Sequence, residues 1–302
     1  MTAADGDGGL VVGMDVGGTK AAVRAARPDG ETVVDVVVGS GAWDAEPADA
    51  AADWLLDVLE RSMPVGERIR ALVIGAQGLD TPQVARELEE ALHLRGVPSV
   101  RCVNDAALLV PAAGLDEGIG LIAGTGAIGV GIDAQGAQIS SGGWGWVIGD
   151  EAGAAGLVRE ATKAALLAHD DGDPDDGLLG ALLADFGVAD AERLARAVND
   201  EPTMANWGPH APAVFRAADQ GSERARAVID AGAEHLVRLV DQLRRRGARG
   251  QAVVAAGGVI TAQPRLADGV RIRLAQRHPE LRLVLLDDQP VAGALFLASR
   301  QA

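Results

Sequence analysis

The chain has 302 residues, 48% of them hydrophobic and 23% charged, with a formal net charge of −16. The apolar content can fill a complete core, and the length suggests about two domains. The acidic balance sets the long-range field against nucleic acid and anionic membrane surfaces, so neither is an expected partner. No apolar run reaches the roughly 18 residues of a membrane helix. The opening residues, MTAADGDGGL, show neither the basic nor the apolar region of a secretory signal, so the expected compartment is the cytoplasm. A single cysteine, Cys102, excludes an internal disulfide and a Cys-rich metal site, and reads as a buried thiol.

In chain order, apolar stretches at 10–16, 21–26 and 33–38 are separated by Gly-Gly and Pro-Asp-Gly and predict three strands in a meander. Helical spacing follows from Ala48 to Leu59, then a buried strand at 71–76, a helix from Val84 to Leu92, a strand from Val97 to Val103 and a helix from Asn104 to Ala113. The second half repeats this order, with strands near 118–123, 127–132 and 137–140 and helical sequence from about Asp150. That long helical region is interrupted by the acidic loop HDDGDPDDG at 169–177 and includes an amphipathic helix from about Ser222 to Arg246. A strand near 251–258, a helix near 263–277, a strand at 281–286 and a helix after Pro290 complete the chain. Three strands followed by alternating helices and strands, twice over, predict two α/β domains with mixed sheets facing a central cleft.

Where the first strand turns into the second stand Asp15, Gly17, Gly18, Thr19 and Lys20. Glycines there let backbone N–H groups approach phosphate oxygens, Thr19 offers a hydroxyl, and Asp15 can hold Mg²⁺ directly or through water. A tight hairpin alone would also carry the glycines, and Lys20 suits either a phosphate contact or a solvated strand position. Gly124, Thr125 and Gly126 occupy the matching turn of the second half, and Gly257 and Gly258 end a later strand. In so acidic a chain, phosphate binding must depend on such local backbone groups and on a cation. Asn104 and Asp105 end another strand, where a carboxylate could accept a hydroxyl proton or either side chain could cap the next helix. Asp150, before a later helix, can hydrogen-bond a hydroxyl group or cap that helix.

Six segments carry a more specific signal: DVGGTK at 15–20, VNDA at 103–106, AGTGAIG at 123–129, GGWGWVIGDEAG at 142–153, AAGGV at 255–259 and PVAGALFLA at 290–298. In order and spacing the chain resembles the N-acetylglucosamine kinase branch of the BadF/BadG/BcrA/BcrD-type ATPases, within the superfamily of sugar kinases, Hsp70 and actin. The resemblance implies two ribonuclease-H-like, actin-type domains. Residues 1–115 with a returning helix at 289–302 would form one, and residues 116–288 the other. It implies ATP-dependent phosphorylation of an amino sugar, N-acetylglucosamine above all, with ATP and Mg²⁺ as cofactors, Asp105 as base and Asp15 at the metal. Gly17, Gly18, Thr19, Lys20, Gly124, Thr125, Gly126, Gly257 and Gly258 would contact the nucleotide. Asn104, Asp105, Thr125, Gly143 and Asp150 would contact the sugar. A homodimer is compatible with this reading.

Two departures bear on the acceptor. Relatives that use N-acetylglucosamine commonly carry Asn soon after the third strand, where this chain has GSGAWDAEP at 39–47, so Trp43 or Asp44 is the expected substitute. The Gly-Thr-Gly turn is followed by Ala127 in place of the usual Ser. Glucosamine and N-acetylmuramic acid therefore stand as alternative acceptors. Trp144 and Trp146 suit either a pocket wall or interior packing. The five histidines fall in no motif and read as surface or helix-face residues. An activator ATPase of the same fold would need cysteine ligands for a shared iron–sulfur cluster, which one cysteine does not supply.

Overall fold

In the computed structural model, residues 9–41 and 43–302 are described. They divide into two compact units, one running to Glu117 and including Leu286–Ala302, the other Gly118–Leu285. The first unit contains β1 (Leu10–Val16), β2 (Lys20–Ala26), β3 (Thr32–Gly39), α1 (Ala48–Ser62), β4 (Ile69–Ala76), α2 (Pro82–Leu94), β5 (Val100–Asn104) and α3 (Leu109–Ala112). The second contains β6 (Ile119–Ala123), β7 (Ala127–Ile132), β8 (Gln138–Gly142), α4 (Ala154–Asp170), α5 (Leu178–Phe186), α6 (Ala191–Asp200), α7 (Met204–Trp207), α8 (Ala211–Asp219), α9 (Glu223–Arg245), β9 (Ala252–Ala256), α10 (Gly258–Ala262), α11 (Pro264–Arg277) and β10 (Arg282–Leu285). The last helix, α12 (Val291–Ser299), belongs to the first unit.

The sheets have the same plan, β3-β2-β1-β4-β5 and β8-β7-β6-β9-β10. In each, the first three strands form an antiparallel meander and the last two join in parallel. The predicted α/β class and mixed sheets are therefore what the chain forms.

Strand alternation distributes the first core over two faces. Leu10, Val12, Met14 and Val16 pack with Leu55, Leu59, Leu88 and Leu92 of α1 and α2. Val11, Ala71 and Val73 point the other way, to Ala294 and Ala298 of α12. Asp15 shares the parity of Val11 and Gly13, which puts it on the α12 face. Gly13 allows that helix its approach, because a Cβ there would collide with Ala294 and the backbone of Leu295. In the second unit, Leu236, Leu239, Val240 and Leu243 of α9 form the centre of the core with β6 and α4. Ser222 caps this 23-residue helix by accepting from Ala225 N–H at 3.0 Å.

Local departures have clear causes. The segment after β5 is a 3-10 turn at Asp105–Leu108 before the short α3, in place of one helix from Asn104. The helix expected from about Asp150 starts at Ala154, because Asp150 has φ 55° and cannot enter a right-handed helix. The segment 178–219 breaks into four short helices, and two of the breaks are marked by the caps Asp190 and Thr203.

Gly13→Ala is expected to lower stability by about 1–3 kcal/mol through overpacking against α12. Gly39→Ala, where an added methyl group meets nothing within 4 Å, should stay within about 0.5 kcal/mol of wild type. Urea unfolding of the two variants measures the contrast.

Candidate active site

In the first unit the site grows from strand register. Asp15 of β1 lies opposite Gly75 of β4, and a Cβ on Gly75 would collide with the Leu108 side chain. Glycine at 75 thus lets the 3-10 turn settle over the strand ends, and that turn begins with Asp105. Asn104, only 3% exposed, caps it: its Oδ1 accepts from Ala106 N–H at 3.0 Å and its Nδ2 donates to Asp80 Oδ1 at 2.9 Å. Asn104 therefore does the capping and leaves Asp105 a carboxylate with one hydrogen bond from Ala106 N–H.

Electrostatics mark the same two carboxylates. Burial pushes the Asp15 carboxyl up to about 7, with the Asp105 charge adding to it and Lys20 opposing. Burial likewise pushes Asp105 up to about 6; the Asp80 charge reinforces this and the Ala106 N–H opposes it. Gly18, Thr19 and Lys20 are exposed at the β1–β2 turn, which closes through Gly17 N–H to the Lys20 carbonyl at 2.9 Å. Gln77, not singled out in the sequence, reaches over this turn, since a Cβ on Gly18 would come within 2.9 Å of its Oε1. Trp43 donates its indole N–H to the Gln77 carbonyl at 3.1 Å and packs on Trp54, while Asp44 accepts from Glu46 N–H.

In the second unit, small residues bring four segments together. The β6–β7 turn closes by Gly124 N–H to the Gly126 carbonyl at 3.0 Å. Gly257, with φ 109°, lies against it, where a Cβ would sit 2.6 Å from Ala123. The start of α4 binds it through Ala154 N–H to the Gly124 carbonyl at 2.8 Å. Asp150 completes the group, since a Cβ on Gly126 would come within 2.7 Å of its Oδ2. Asp150 is 6% exposed and its Oδ1 is buried with no protein partner among the described residues. Burial raises its pKa, against the Ala127 N–H and the Arg159 charge. The N-cap of α4 is Gly153, so helix capping does not account for Asp150.

Beside this group lies a pocket of about 490 Å³ lined by Gly124, Thr125, Gly258, Met204, Pro209 and Phe215 among others. Gly143 opens the loop that leads to Asp150 and pairs with the Ala127 carbonyl. On that loop Trp146 packs on Trp207, with ring centroids 4.9 Å apart, and Trp144 is 76% exposed. His235 is not the plain helix-face residue expected from sequence: it is mostly buried and pairs with Glu151 at 3.0 Å.

Two like-ordered α/β units with carboxylates and glycine turns at strand ends define an actin-like phosphotransfer fold. The sequence pattern of the BadF/BadG/BcrA/BcrD ATPase family matches residues 12–298, and the chain belongs to that family. It is 25% identical over 299 residues to an N-acetylmuramic acid/N-acetylglucosamine kinase of Clostridium acetobutylicum, covering 95% of this chain and 97% of the relative. It is 23% identical over 311 residues to an N-acetyl-D-glucosamine kinase of Dictyostelium discoideum, covering 96% and 97%. The crystal structure of a provisionally named N-acetylglucosamine kinase from Chromobacterium violaceum superposes with a TM-score of 0.74 at 26% identity, covering 96% of this chain and 98% of that one.

Asp80→Asn keeps an acceptor for Asn104 while removing a negative charge near Asp105. Carbon-detected NMR titration in metal-free buffer should therefore find the Asp105 midpoint below its wild-type position, because the ionised form is no longer repelled. An unmoved midpoint would remove Asp80 from the electrostatics of the site.

Proposed function

We propose that the protein transfers the γ-phosphoryl group of ATP to a hydroxyl of an amino sugar, with N-acetylglucosamine as the first-choice acceptor, and that it works in the cytoplasm. The observation that carries this reading is Asp105: a partly buried carboxylate on a capped turn, with a pKa pushed up to about 6. A group of that basicity is matched to accepting a proton near neutral pH. The names of the relatives support the same acceptor class, and the dual specificity in one of them makes N-acetylmuramic acid the alternative acceptor, with glucosamine behind it.

The chemistry follows from the residues. Asp105 orients the acceptor hydroxyl and takes its proton as the oxygen bonds to the γ-phosphorus and the bridging P–O bond to ADP breaks. Asp150, with a buried and unpartnered Oδ1, accepts a hydrogen bond from another sugar hydroxyl. Asn104 shapes the turn, and Thr125 and Gly143 line the acceptor side. Backbone N–H groups at Gly17, Gly18, Gly124, Gly126, Gly257 and Gly258, with Thr19 and Lys20, hold the phosphates. The mostly apolar pocket with Met204 and Phe215 receives the base.

Asp15 fits a magnesium site. It is a hard oxygen donor whose charge is opposed by burial and by Asp105, a cost that a divalent cation would relieve. Among the described residues no group of three or more His, Cys, Asp or Glu could hold a metal, so a cation at Asp15 would keep most of its ligands as water and phosphate oxygens. When bound, magnesium supplies charge neutralisation at the phosphates.

A coupled assay of ADP release with ATP, Mg²⁺ and a panel of amino sugars tests the proposal. Turnover should depend on the sugar, and Asp105→Asn should lower kcat by roughly 10²- to 10⁴-fold with little change in nucleotide affinity. Asn104 already caps the turn, so the substitution should leave the fold intact, and a folded Asp105→Asn protein with near-wild-type kcat would contradict the catalytic role.

A further inference from the structure

The loop 142–149 presents a mechanical problem. Its outer residues Trp144, Val147 and Ile148 are exposed, and Trp146, packed on Trp207, is its main anchor in the core. Yet it ends at Asp150, which among the described residues is the only non-glycine with positive φ, a conformation that L side chains adopt only when the surroundings impose it. Glycine at 156 is one part of the answer, because a Cβ there would collide with the Asp150 carbonyl. That lets α4 approach, and Gly153 N–H donates to the Asp150 carbonyl at 2.8 Å, but the carbonyls that precede Asp150 need a partner of their own.

Arg159, on the second turn of α4, supplies the hold. Its side chain is 16% exposed, and its Nη1 donates to two loop carbonyls, those of Trp146 and of Gly149, the latter at 3.2 Å. Its Nε donates to Glu160 at 2.7 Å, which sets the guanidinium plane. The Gly149 carbonyl belongs to the peptide that leads into Asp150. Holding it fixes the rotation of that peptide and, with it, the direction of the next side chain. A lysine carries all its donors on one nitrogen and cannot stand both at the two carbonyls and at the Glu160 carboxylate, as the guanidinium does with Nη1 and Nε.

We propose that Arg159 is a positioning residue for the acceptor site: by gathering the Trp146 and Gly149 carbonyls it keeps Asp150 in its left-handed conformation with the carboxylate turned to the sugar hydroxyl. The inference rests on the reading of Asp150 as an acceptor ligand. Arg159 does not itself touch the substrate. Its loss therefore weakens sugar binding while nucleotide binding, assigned to the glycine turns and the apolar pocket, is retained.

The test uses the full-length enzyme with N-acetylglucosamine and ATP, and compares Arg159→Ala, Arg159→Lys and Asp150→Ala. Arg159→Ala should raise the sugar KM by about 10- to 100-fold, the scale of losing hydrogen bonds to a charged group, and leave the ATP KM within about twofold. Arg159→Lys should fall between it and wild type. Millimolar guanidinium chloride should restore part of the sugar affinity of Arg159→Ala, while the same concentration of sodium chloride should not; a general structural defect would not respond in this way. An unchanged sugar KM in folded Arg159→Ala, beside a raised one in Asp150→Ala, would overturn the positioning role alone. An unchanged sugar KM in Asp150→Ala would instead overturn the reading on which it rests. Should Arg159→Ala fail to fold, wild-type sugar KM in Arg159→Lys would overturn the proposal by itself.

Discussion

Desolvating a carboxylate opposes folding unless a cation or hydrogen bonds compensate, and this chain does so at three positions close to glycine turns. Asp15, Asp105 and Asp150 all have their pKa raised, with burial as the leading cause. None is neutralised by an ion pair in the way that Asp288 is by Arg24 on the same unit. Structural carboxylates elsewhere in the protein, such as Asp185 with His210 and Arg216, have their pKa lowered by their partners. The contrast separates groups that stabilise the fold from groups that the fold holds ready for something else.

The architecture that permits this is repeated. In each unit a central strand feeds a glycine turn, and small residues clear the space above it: Gly75 under Leu108 in the first, Gly126, Gly153 and Gly156 around Asp150 in the second. These are steric requirements rather than flexibility. At Gly126 the room is for the Asp150 carboxylate itself, whose Oδ2 an added Cβ would approach to 2.7 Å.

Much of this was legible in the sequence, for physical reasons that differ by element. Apolar runs bounded by Gly-Gly and Pro-Asp-Gly signalled the meanders, because strand alternation and turn chemistry are local properties. Asp105 and Asp150 could be singled out because each follows asparagine or glycine at an element boundary, and Asp15 because it stands just before Gly17-Gly18 at the end of a strand. The start of α4 was misplaced, since Asp150 has the composition of a cap while its backbone is left-handed and the true cap, Gly153, offers no side-chain signal. The region between 178 and 219 was expected to be helical, but the pocket it helps to line was not legible, because its walls come from segments far apart in the chain. Asp80, Gln77 and His235 act through partners distant in sequence, 24 residues from Asp80 to Asn104 and 59 from Gln77 to Gly18 by position, whereas the partners of Arg159 lie within 13 residues but off the helical spacing. A single sequence carries no mark of such contacts.

The fold holds the site's carboxylates against their own solvation, and Asp15 carries the largest shift among them. Its folded pKa of about 7 lies above the ordinary aspartate value of 3.8, so the folded state binds the proton more tightly and stability is lost as pH rises from the lower value through the higher. Below about pH 4 both states are protonated and the penalty vanishes. Melting temperatures of wild type and Asp15→Asn should be compared in metal-free buffer from pH 8 down to pH 4. The account predicts that the neutral variant melts higher at pH 8 and that the gap closes on acidification. A variant that melts lower at pH 8 would show that the Asp15 charge stabilises the fold, and would contradict it.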